Sequence, residues 1–384
     1  MIGVIADDLT GAAEIGAIGL RHGLRAEIIQ SGKPSGGMDI VCVDTGSRSC
    51  DPAEAAKRAA AAAKLLRTAG ATWIYKKVDS VLRGHVTAEV EAVMRQLKLE
   101  RALLLPANPS LGRTIRDGQY FVRGKLIHKT GFAYDPEYPR RSSQVLRLLK
   151  VPEVFAIRVV NGDRQLYDST IVVGEAGTPE DVSEWAAISG AKILPAGGSD
   201  FFNALLHREK PVATVHNENS PMPSAGRELF VCGTSTEYSR KFVMAARRKK
   251  KPVVSLPVEL IWGAEFSPAA IASITRHVVD AFEAHSRVIL AVGLPLVRNT
   301  QVAKRFFRNV VQVASSVINE VSIAHVFAEG GATASELVQS MGWSRLQVEG
   351  ELAPGVATLS VGNGQSTLLT IKPGSYAWPA QWTE

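Results

Sequence analysis

The chain has 384 residues, of which 46% are hydrophobic and 21% are charged, and its formal net charge is +7 at pH 7. This composition is typical of a globular enzyme, and the length is sufficient for two compact domains. Three cysteines without CxxC spacing argue against a disulfide framework or a zinc knuckle, and no run approaches the roughly 18 apolar residues of a membrane span. The sequence therefore predicts a cytoplasmic protein without a targeting segment.

The positive charge is scattered along the chain, and its one dense run, residues 247–251, follows a predicted helix. Basic side chains are favourable at the C-terminus of a helix, and no aromatic residues alternate with this run as they do in base-stacking surfaces. We therefore expect no nucleic-acid partner and no membrane partner. The excess charge suits a site for a small anionic molecule.

Short apolar runs alternate with helical segments along most of the chain. This pattern predicts an α/β fold with two domains, each with a largely parallel or mixed sheet flanked by helices. The predicted strands before residue 210 are 2–6, 26–30, 39–43, 72–75, 102–105, 154–160 and 170–173. A polar, irregular stretch at 210–227 predicts a linker, which divides the chain into domains 1–222 and 223–384. The predicted strands after it are 229–232, 253–256, 288–292, 324–328, 347–352, 357–361 and 367–371.

One predicted helix, at 53–69, has clear signals at both ends. Asp51 is a suitable N-cap, Pro52 occupies the first helical position, and Gly70 follows the last turn. Glu54 stands three residues after Asp51, and this spacing predicts a capping box between the two.

The first predicted strand runs directly into two aspartates, Asp7 and Asp8, followed by Thr10 and Gly11. Ligands of open α/β sheets bind at the carboxyl ends of the strands, so this pair is a candidate for polyol recognition, proton abstraction or metal binding. Thr10 is a suitable N-cap for the next helix, and Gly11 allows a close approach to the backbone. The alternative remains open that one aspartate caps the helix and the other is solvated.

Two further strand ends carry polar side chains. The strand at 72–75 is followed by two lysines, a carboxylate, a hydroxyl and a guanidinium, which are Lys76, Lys77, Asp79, Ser80 and Arg83. The strand at 102–105 leads into a loop stiffened by Pro106 and Pro109, which presents Asn108 and Arg113. Arginine binds carboxylates or phosphates through a planar fork, and lysine does so as a point charge.

After the predicted linker, small glycine-containing turns follow three strands, at 233–236, 330–334 and 372–375. Free backbone N–H groups at the start of a helix are suited to binding phosphate. The sequence contains no Walker A motif and no clean GxGxxG fingerprint, and it also lacks GxSxG and HExxH. These absences argue against P-loop and dinucleotide-binding folds, and against serine and zinc hydrolases.

Taken in order, several of these motifs resemble those of the four-carbon acid sugar kinase family, which comprises threonate, erythronate and oxo-tetronate kinases. The motifs are 6–12, 77–84, 106–109 with 112–113, 135–136, 330–333, 354–355 and 372–374. The resemblance implies an N-terminal domain that binds the sugar acid, a C-terminal domain that binds ATP with Mg²⁺, and an active site in the cleft between the domains. It implies an ATP-dependent phosphotransferase that acts on the terminal hydroxyl of a four-carbon acid sugar.

The resemblance also assigns residues. It places in the substrate site Asp7, Asp8, Lys77, Asp79, Ser80, Arg83, Gly84, Asn108 and Arg113. It places in the ATP site Gly233, Thr234, Ser235, Gly330, Gly331, Ala332, Thr333, Gly355, Lys372 and Gly374. Lys77, Arg83 and Arg113 are expected to bind the substrate carboxylate, and either Asp79 or Asp8 to act as the base. Metal ligands are not assigned, and homodimer formation is left open.

Two departures from the family pattern keep alternatives open. Ala332 stands where many relatives have an acidic residue, and the tail at 372–379 differs from the Lys-Ser-Gly sequence common at that place. The protein could therefore be a kinase for another polyhydroxy acid. A catalytically silent ligand-binding regulator of the same fold is the alternative from a different functional class.

Overall fold

A computed structural model describes most of the chain. The described residues are 1–135, 137–150, 157–160, 170–190, 192–209, 226–234, 236–257, 266–292, 300–362, 367–374 and 376–379, with the backbone alone at 157–160, 209 and 300–307. They form two compact units, Met1–His216 and Asn217–Glu384. Most of the predicted linker at 210–227 lies outside the described residues, as do Ser235 and Pro136.

The first unit contains a parallel sheet and a small antiparallel one. The strands are β1 (Ile2–Ala6), β2 (Ala26–Ile29), β3 (Ile40–Asp44), β4 (Trp73–Lys77), β5 (Arg101–Leu105), β6 (Arg113–Arg116), β7 (Gln119–Val122), β8 (Lys125–Leu126), β9 (Ile157–Val160), β10 (Ile171–Gly174) and β11 (Ile193–Gly197). In the parallel sheet the order is β2-β3-β1-β4-β11-β5-β10-β9. The antiparallel sheet has the order β6-β7-β8.

Helices cover the parallel sheet of the first unit. They are α1 (Leu9–Arg21), α2 (Pro52–Thr68), α3 (Val86–Leu97), α4 (Val145–Leu148), α5 (Pro179–Ile188) and α6 (Ser199–Glu209). The central strands are apolar and buried along their length, as expected for parallel strands covered on both faces. The polar side chains next to these strands therefore lie at the strand ends and in the loops that follow.

Two helix starts differ from the sequence prediction. Asp8, rather than Thr10, is the N-cap of α1, and its Oδ1 accepts the Gly11 N–H at 2.9 Å. The helix already begins at Leu9, so Thr10 lies within its first turn. Asp51 caps α2 as predicted, but Glu54 does not complete a capping box, because its Oε1 accepts from Arg58 Nε at 2.8 Å.

The second unit contains one mixed sheet. Its strands are β12 (Glu228–Cys232), β13 (Val253–Ser255), β14 (Arg287–Ala291), β15 (His325–Glu329), β16 (Arg345–Ala353), β17 (Val356–Val361) and β18 (Leu368–Lys372). The order is β13-β14-β12-β15-β18-β17-β16, parallel as far as β18 and antiparallel beyond it. The helices are α7 (Glu237–Arg248), α8 (Pro268–Ala284), α9 (Thr300–Glu320) and α10 (Gly331–Ser340).

An aromatic cluster lies beside the strands of the second unit that carry the glycine turns. Phe230 stacks on Phe327 with ring centroids 4.3 Å apart, and Trp378 meets Phe230 edge-on at 5.4 Å. These rings belong to the buried core of the unit. They anchor the segment after β18 against β12 and β15.

The predicted α/β fold class is confirmed, and most predicted strands agree with the structure to within one or two residues. The sequence prediction missed β11 and the antiparallel sheet β6-β7-β8. Within the described residues, no helix has both the length and the apolar character needed to cross a membrane.

Candidate active site

The carboxyl ends of β1, β3 and β4 bring charged side chains together at one edge of the first unit's sheet. These three strands are parallel neighbours, so the residues that follow them meet at the same edge. Asp7 and Asp8 follow β1, Arg48 lies in the loop after β3, and Asp79 follows β4. The predicted aspartates are therefore in one cluster, together with an arginine that the sequence analysis did not select.

Arg48 contacts all three aspartates of this cluster. Its Nε and Nη2 donate to the two carboxylate oxygens of Asp7, at 2.7 and 3.0 Å. Its Nη1 donates to Asp8 Oδ2 at 2.6 Å, and its Nη2 is 3.8 Å from Asp79 Oδ1. The Asp7 side chain is 4% exposed, whereas that of Asp8 is 19% exposed. Asp8 is thus the more accessible member of the Asp7–Asp8 pair.

The three aspartates differ in acidity. Burial disfavours the ionised form of each, but Arg48 lowers the pKa of Asp7 below its usual value. For Asp8, burial and the neighbouring negative charge of Asp7 together outweigh the effect of Arg48, so the pKa of Asp8 is raised. For Asp79, Arg83 and then Arg48 outweigh burial and hold the pKa well below its usual range. Asp8 is therefore the strongest base among the three.

The cations at the end of β4 and in the loop after it are paired with carboxylates. Lys77 Nζ lies 3.1 Å from Glu14 Oε2, and the buried Lys76 Nζ lies 2.7 Å from Glu89 Oε2. Arg83 donates to Asp79 Oδ1 from both Nη2 and Nε, at 2.8 and 3.0 Å. Its Nη1 donates to Asp135 Oδ2 at 3.4 Å. Each of these ammonium and guanidinium groups already has a negative partner.

Arg113 differs from these cations. Its Nη1 donates to the Ser80 hydroxyl, and no carboxylate of the described residues lies within ion-pair distance of it. Arg113 is partly exposed at the start of β6. It is the member of the predicted substrate set whose positive charge is available to an incoming anion.

Gly84 and Asn108 are also placed close to this edge, but with different accessibility. Gly84 has φ +83°, and a Cβ there would lie 3.2 Å from Asp7 Oδ2. Asn108 is fully buried. Its Nδ2 donates to Ser199 Oγ at 2.9 Å, and its Oδ1 accepts from the Asp200 N–H at 3.1 Å. In this structure Asn108 supports the start of α6, and it has no exposed atom for the direct substrate contact that the sequence predicted.

Three glycine turns of the second unit also come together. They begin at paired positions of neighbouring parallel strands, because Glu329 pairs with both Cys232 and Lys372. A Cβ added at Gly233 would overlap the Thr333 hydroxyl, and Thr236 Oγ1 donates to the Gly374 carbonyl at 2.8 Å. Gly233, Thr234 and Thr236 of the first turn, residues 330–333 of the second and Gly374 of the third thus form one group of backbone segments.

Gly330 and Ala332 lie in the middle turn of this group. Gly330 has φ +96°, a backbone conformation that side-chain-bearing residues rarely adopt, and it directly precedes α10. Gly331 is the first residue of that helix, and Thr333 is buried within its first turn. Ala332 is exposed and contributes no carboxylate.

Lys372 and Gly355 complete the predicted ATP set. Lys372 is fully buried, and its Nζ binds Glu329 Oε1 at 3.0 Å and the Tyr376 carbonyl at 2.6 Å. It thereby ties the end of β18 to the turn that follows. Gly355, with φ +79°, lies in the turn between β16 and β17, where a Cβ would come within 3.0 Å of the Tyr376 ring.

Four charged residues of the two sites were not predicted from the sequence, namely Arg48, Glu14, Glu89 and Glu329. Arg48 could have been found with the same strand-end criterion, because it follows the predicted strand 39–43. Glu14 and Glu89 lie on helices, and only the packing of those helices against the sheet brings them to the lysines.

Comparison with known proteins identifies the family. Residues 2–205 match a family described as a sugar-binding N-terminal domain, and residues 229–376 match one described as a nucleotide-binding C-terminal domain. The chain belongs to the four-carbon acid sugar kinase family. Members of this family are phosphotransferases that use ATP and an alcohol acceptor, and so is this protein.

Curated relatives of this kinase cover nearly the whole chain. The D-threonate kinase of Salmonella typhimurium is 27% identical over 91% of this chain and 89% of its own length. The 3-oxo-tetronate kinase of Haemophilus influenzae is 23% identical over 98% of this chain and 97% of its own. The two relatives are named for different four-carbon acids, D-threonate and 3-oxo-tetronate.

Solved structures share the fold. A protein from Salmonella typhimurium LT2 aligns with a TM-score of 0.80 at 22% identity, covering 100% of this chain and 97% of the other. A Haemophilus influenzae protein aligns with a TM-score of 0.74 at 20% identity, covering 99% and 98%. At these identities the likeness concerns the fold alone.

Proposed function

We propose that this kinase transfers the γ-phosphoryl group of ATP to the terminal hydroxyl of a four-carbon sugar acid, in the cytoplasm, where ATP is abundant. The observation that carries the proposal is the pairing pattern at the carboxyl edge of the first unit's sheet. Lys76, Lys77 and Arg83 are paired with carboxylates, while Arg113 has no such partner among the described residues. Arg113 is close enough to Glu14 to interact with its charge, but Glu14 is the ion-pair partner of Lys77, so a substrate carboxylate would supply the ion pair that Arg113 lacks.

Arg113 is the proposed anchor of the substrate carboxylate. A guanidinium binds a carboxylate through two parallel hydrogen bonds, which fixes orientation as well as position. Ser80, the present partner of Arg113, is nine-tenths buried on the loop after β4. Lys77 and Arg83 then contribute to the positive potential at this edge, and their carboxylate partners keep them in place.

Asp8 is the proposed base. A general base is most effective when its pKa is close to the pH at which the enzyme works. Burial raises the pKa of Asp8, whereas the Arg83 guanidinium beside Asp79 holds the pKa of that carboxyl far below neutrality. As the substrate oxygen bonds to the γ-phosphorus and the bond from phosphorus to the ADP oxygen breaks, Asp8 accepts the hydroxyl proton.

The glycine turns of the second unit are the proposed phosphate site. Gly330 and Gly331 open α10, whose first N–H groups and positive dipole end suit a phosphate. Gly233 and Thr234 lie against this turn, and Gly374 lies against Thr234. Ser235 is proposed to join them, although it lies outside the described residues. Lys372 is proposed to support the turns through its buried contacts with Glu329 and the Tyr376 carbonyl, without contacting the phosphates.

Mg²⁺ is proposed to enter as part of the nucleotide substrate. Among the residues that the structure describes, no three His, Cys, Asp or Glu side chains form a group suited to a metal ion. Magnesium commonly keeps several waters and is held by one or two carboxylates together with substrate phosphates. A Mg-ATP complex therefore requires no metal cage from this chain.

The test is ADP release from Mg-ATP with a panel of acids, measured with a coupled assay. The panel contains D- and L-threonate, D- and L-erythronate, 2-oxo- and 3-oxo-tetronate, longer aldonates and a blank without acid. We expect acid-dependent ADP release with at least one four-carbon acid, and much less with longer aldonates. Turnover confined to longer acids, or ADP release that does not depend on any acid, would contradict the proposal.

A further inference from the structure

Arg48 stands at the centre of the aspartate cluster, and the family resemblance gave it no role. It lies in the loop after β3, where it hydrogen-bonds both oxygens of Asp7 and one oxygen of Asp8. Its Nη2 is also 3.8 Å from Asp79. One positive charge is therefore shared by three carboxylates that follow two different strands.

The backbone around Arg48 is fixed to the end of β1. The N–H groups of Ser47 and Arg48 both donate to the Asp7 carbonyl oxygen, at 3.0 and 3.3 Å. The Arg48 carbonyl accepts a hydrogen bond from the Tyr138 hydroxyl. The guanidinium therefore has a defined position relative to both aspartates, and it does not have to be ordered when a substrate binds.

Arg48 makes different contacts with the two neighbouring aspartates. Asp7 has both oxygens bound by the guanidinium and is almost inaccessible. Asp8 gives Oδ2 to Arg48 and Oδ1 to the helix cap at Gly11, and its side chain remains 19% exposed. A group that meets a substrate needs accessible surface, and Asp8 has more of it than Asp7.

We propose that Arg48 is a positioning residue that holds Asp7 as a structural carboxylate and orients Asp8 toward the substrate hydroxyl. This inference rests on the proposed function, in which Asp8 accepts the hydroxyl proton. Arg48 itself is not assigned a contact with the substrate. Its effect on the reaction passes through the two aspartates.

Other charged groups face this cluster from each packed element, and we expect them to keep their positions when Arg48 is changed. They are Asp44 at the end of β3, Lys76 and Lys77 at the end of β4, Asp79 and Arg83 after it, Glu14 on α1, and Tyr138. Lys77 is already paired with Glu14. Without Arg48, Asp7 and Asp8 would therefore repel each other with little compensation and bind protons at higher pH.

The first test compares the pH dependence of kcat in the wild type, Arg48→Gln, Arg48→Lys and Arg58→Gln. Arg58 is a matched control, because it hydrogen-bonds carbonyls of the same loop but pairs with Glu54. We expect the acid limb of Arg48→Gln to move to higher pH by about one to three units, as loss of an adjacent opposite charge predicts. Arg48→Lys should move it less, and Arg58→Gln should leave it in place.

A lower kcat with an unmoved acid limb in Arg48→Gln would overturn the inference, since a merely structural residue gives that result. If the wild type releases no ADP in response to any sugar acid, the proposed function fails. The effect of Arg48 on the two aspartates is then tested separately, by melting temperatures measured as a function of pH. Carboxyls whose folded-state pKa is raised destabilise the fold once the pH rises through that pKa. The melting deficit of Arg48→Gln should therefore be large near about pH 8 and shrink toward about pH 5. A deficit independent of pH would overturn the inference.

Discussion

Each unit of this kinase has its candidate site at the carboxyl ends of its own parallel strands, but the two sites are built from different residue types. In the first unit, charged side chains follow β1, β3 and β4 and form a network of ion pairs. In the second unit, glycines and small hydroxyl residues follow β12, β15 and β18, and the charge there is a buried pair, Lys372 with Glu329. The difference suits the ligands proposed for the two sites, because a sugar acid needs directional charge and a proton acceptor, whereas phosphates bind well to backbone N–H groups.

This comparison predicts where a substitution acts. In the first unit, removal of a group that meets the substrate should affect one chemical step, whereas removal of Arg48 should also lower stability at neutral pH. In the second unit, substitutions should act through the space around the backbone or through the buried pair that supports it.

Asp8→Asn should have the largest effect on catalysis. Asn remains a good N-cap for α1, so the helix start is preserved, but the amide cannot accept the proton. We expect kcat to fall by about 10²–10⁴-fold, the usual contribution of a general base. Steady-state kinetics with saturating Mg-ATP would measure it. Asp79→Asn is the comparison, and if it lost more kcat than Asp8→Asn at equal folded fraction, the base assignment would be wrong.

Lys372→Met should have the largest effect on stability in the second unit. The Lys372–Glu329 pair is fully buried, and removal of one partner of such a pair costs about 3–5 kcal/mol because the other charge is left uncompensated. Denaturant unfolding monitored by circular dichroism would measure the loss. Lys241→Met is the control, since its ion pair with Glu237 on α7 is exposed and should contribute little. Equal stability of the two variants would show that the buried pair does not support the turns.

The structure also shows which features the sequence could reveal. The strand-end criterion found Asp7, Asp8, Lys77 and Asp79, because the position after a buried parallel strand is encoded locally. It left open whether Thr10 or one of the aspartates caps α1, and it did not reveal that Lys77 pairs with Glu14, since that contact depends on how α1 packs against the sheet.

Some fold elements were missed for similar reasons. β11 contains Pro195 and Gly197, which resemble a turn in sequence, yet the strand pairs between β4 and β5. The burial of Asn108 was likewise unpredictable, because it depends on contacts with Ser199 and Asp200, about 90 residues away in the chain.

Arg113→Gln should have an intermediate effect that is confined to the sugar acid. Hydrogen bonds to charged groups contribute about 1.5–3 kcal/mol, so kcat/KM for the acid should fall by about 10–150-fold. The KM for ATP should not change. Arg113→Lys keeps the charge but loses the fork, and it should recover part of the loss. Wild-type kcat/KM in Arg113→Gln would exclude Arg113 as the anchor of the carboxylate.

Gly233→Ala should have the smallest effect of the four and should act on the nucleotide. The new Cβ would overlap the Thr333 hydroxyl and displace the first turn of α10, at a cost of about 1–3 kcal/mol for overpacking. We expect a higher KM for ATP with little change in KM for the acid. Gly36→Ala is the control, because nothing lies within 4 Å of a Cβ at that position. A raised KM for the acid alone would contradict the division of roles between the units.

The most direct test of the account compares a four-carbon acid with the corresponding alcohol that lacks the carboxylate. The acid chosen is the panel member with the highest kcat/KM, and ADP release is measured with the wild type and with Arg113→Gln. We expect the wild type to prefer the acid by at least about tenfold, the equivalent of roughly 1.4 kcal/mol, and Arg113→Gln to lose this preference. An Arg113→Gln variant that keeps the wild-type preference would show that the carboxylate is bound elsewhere.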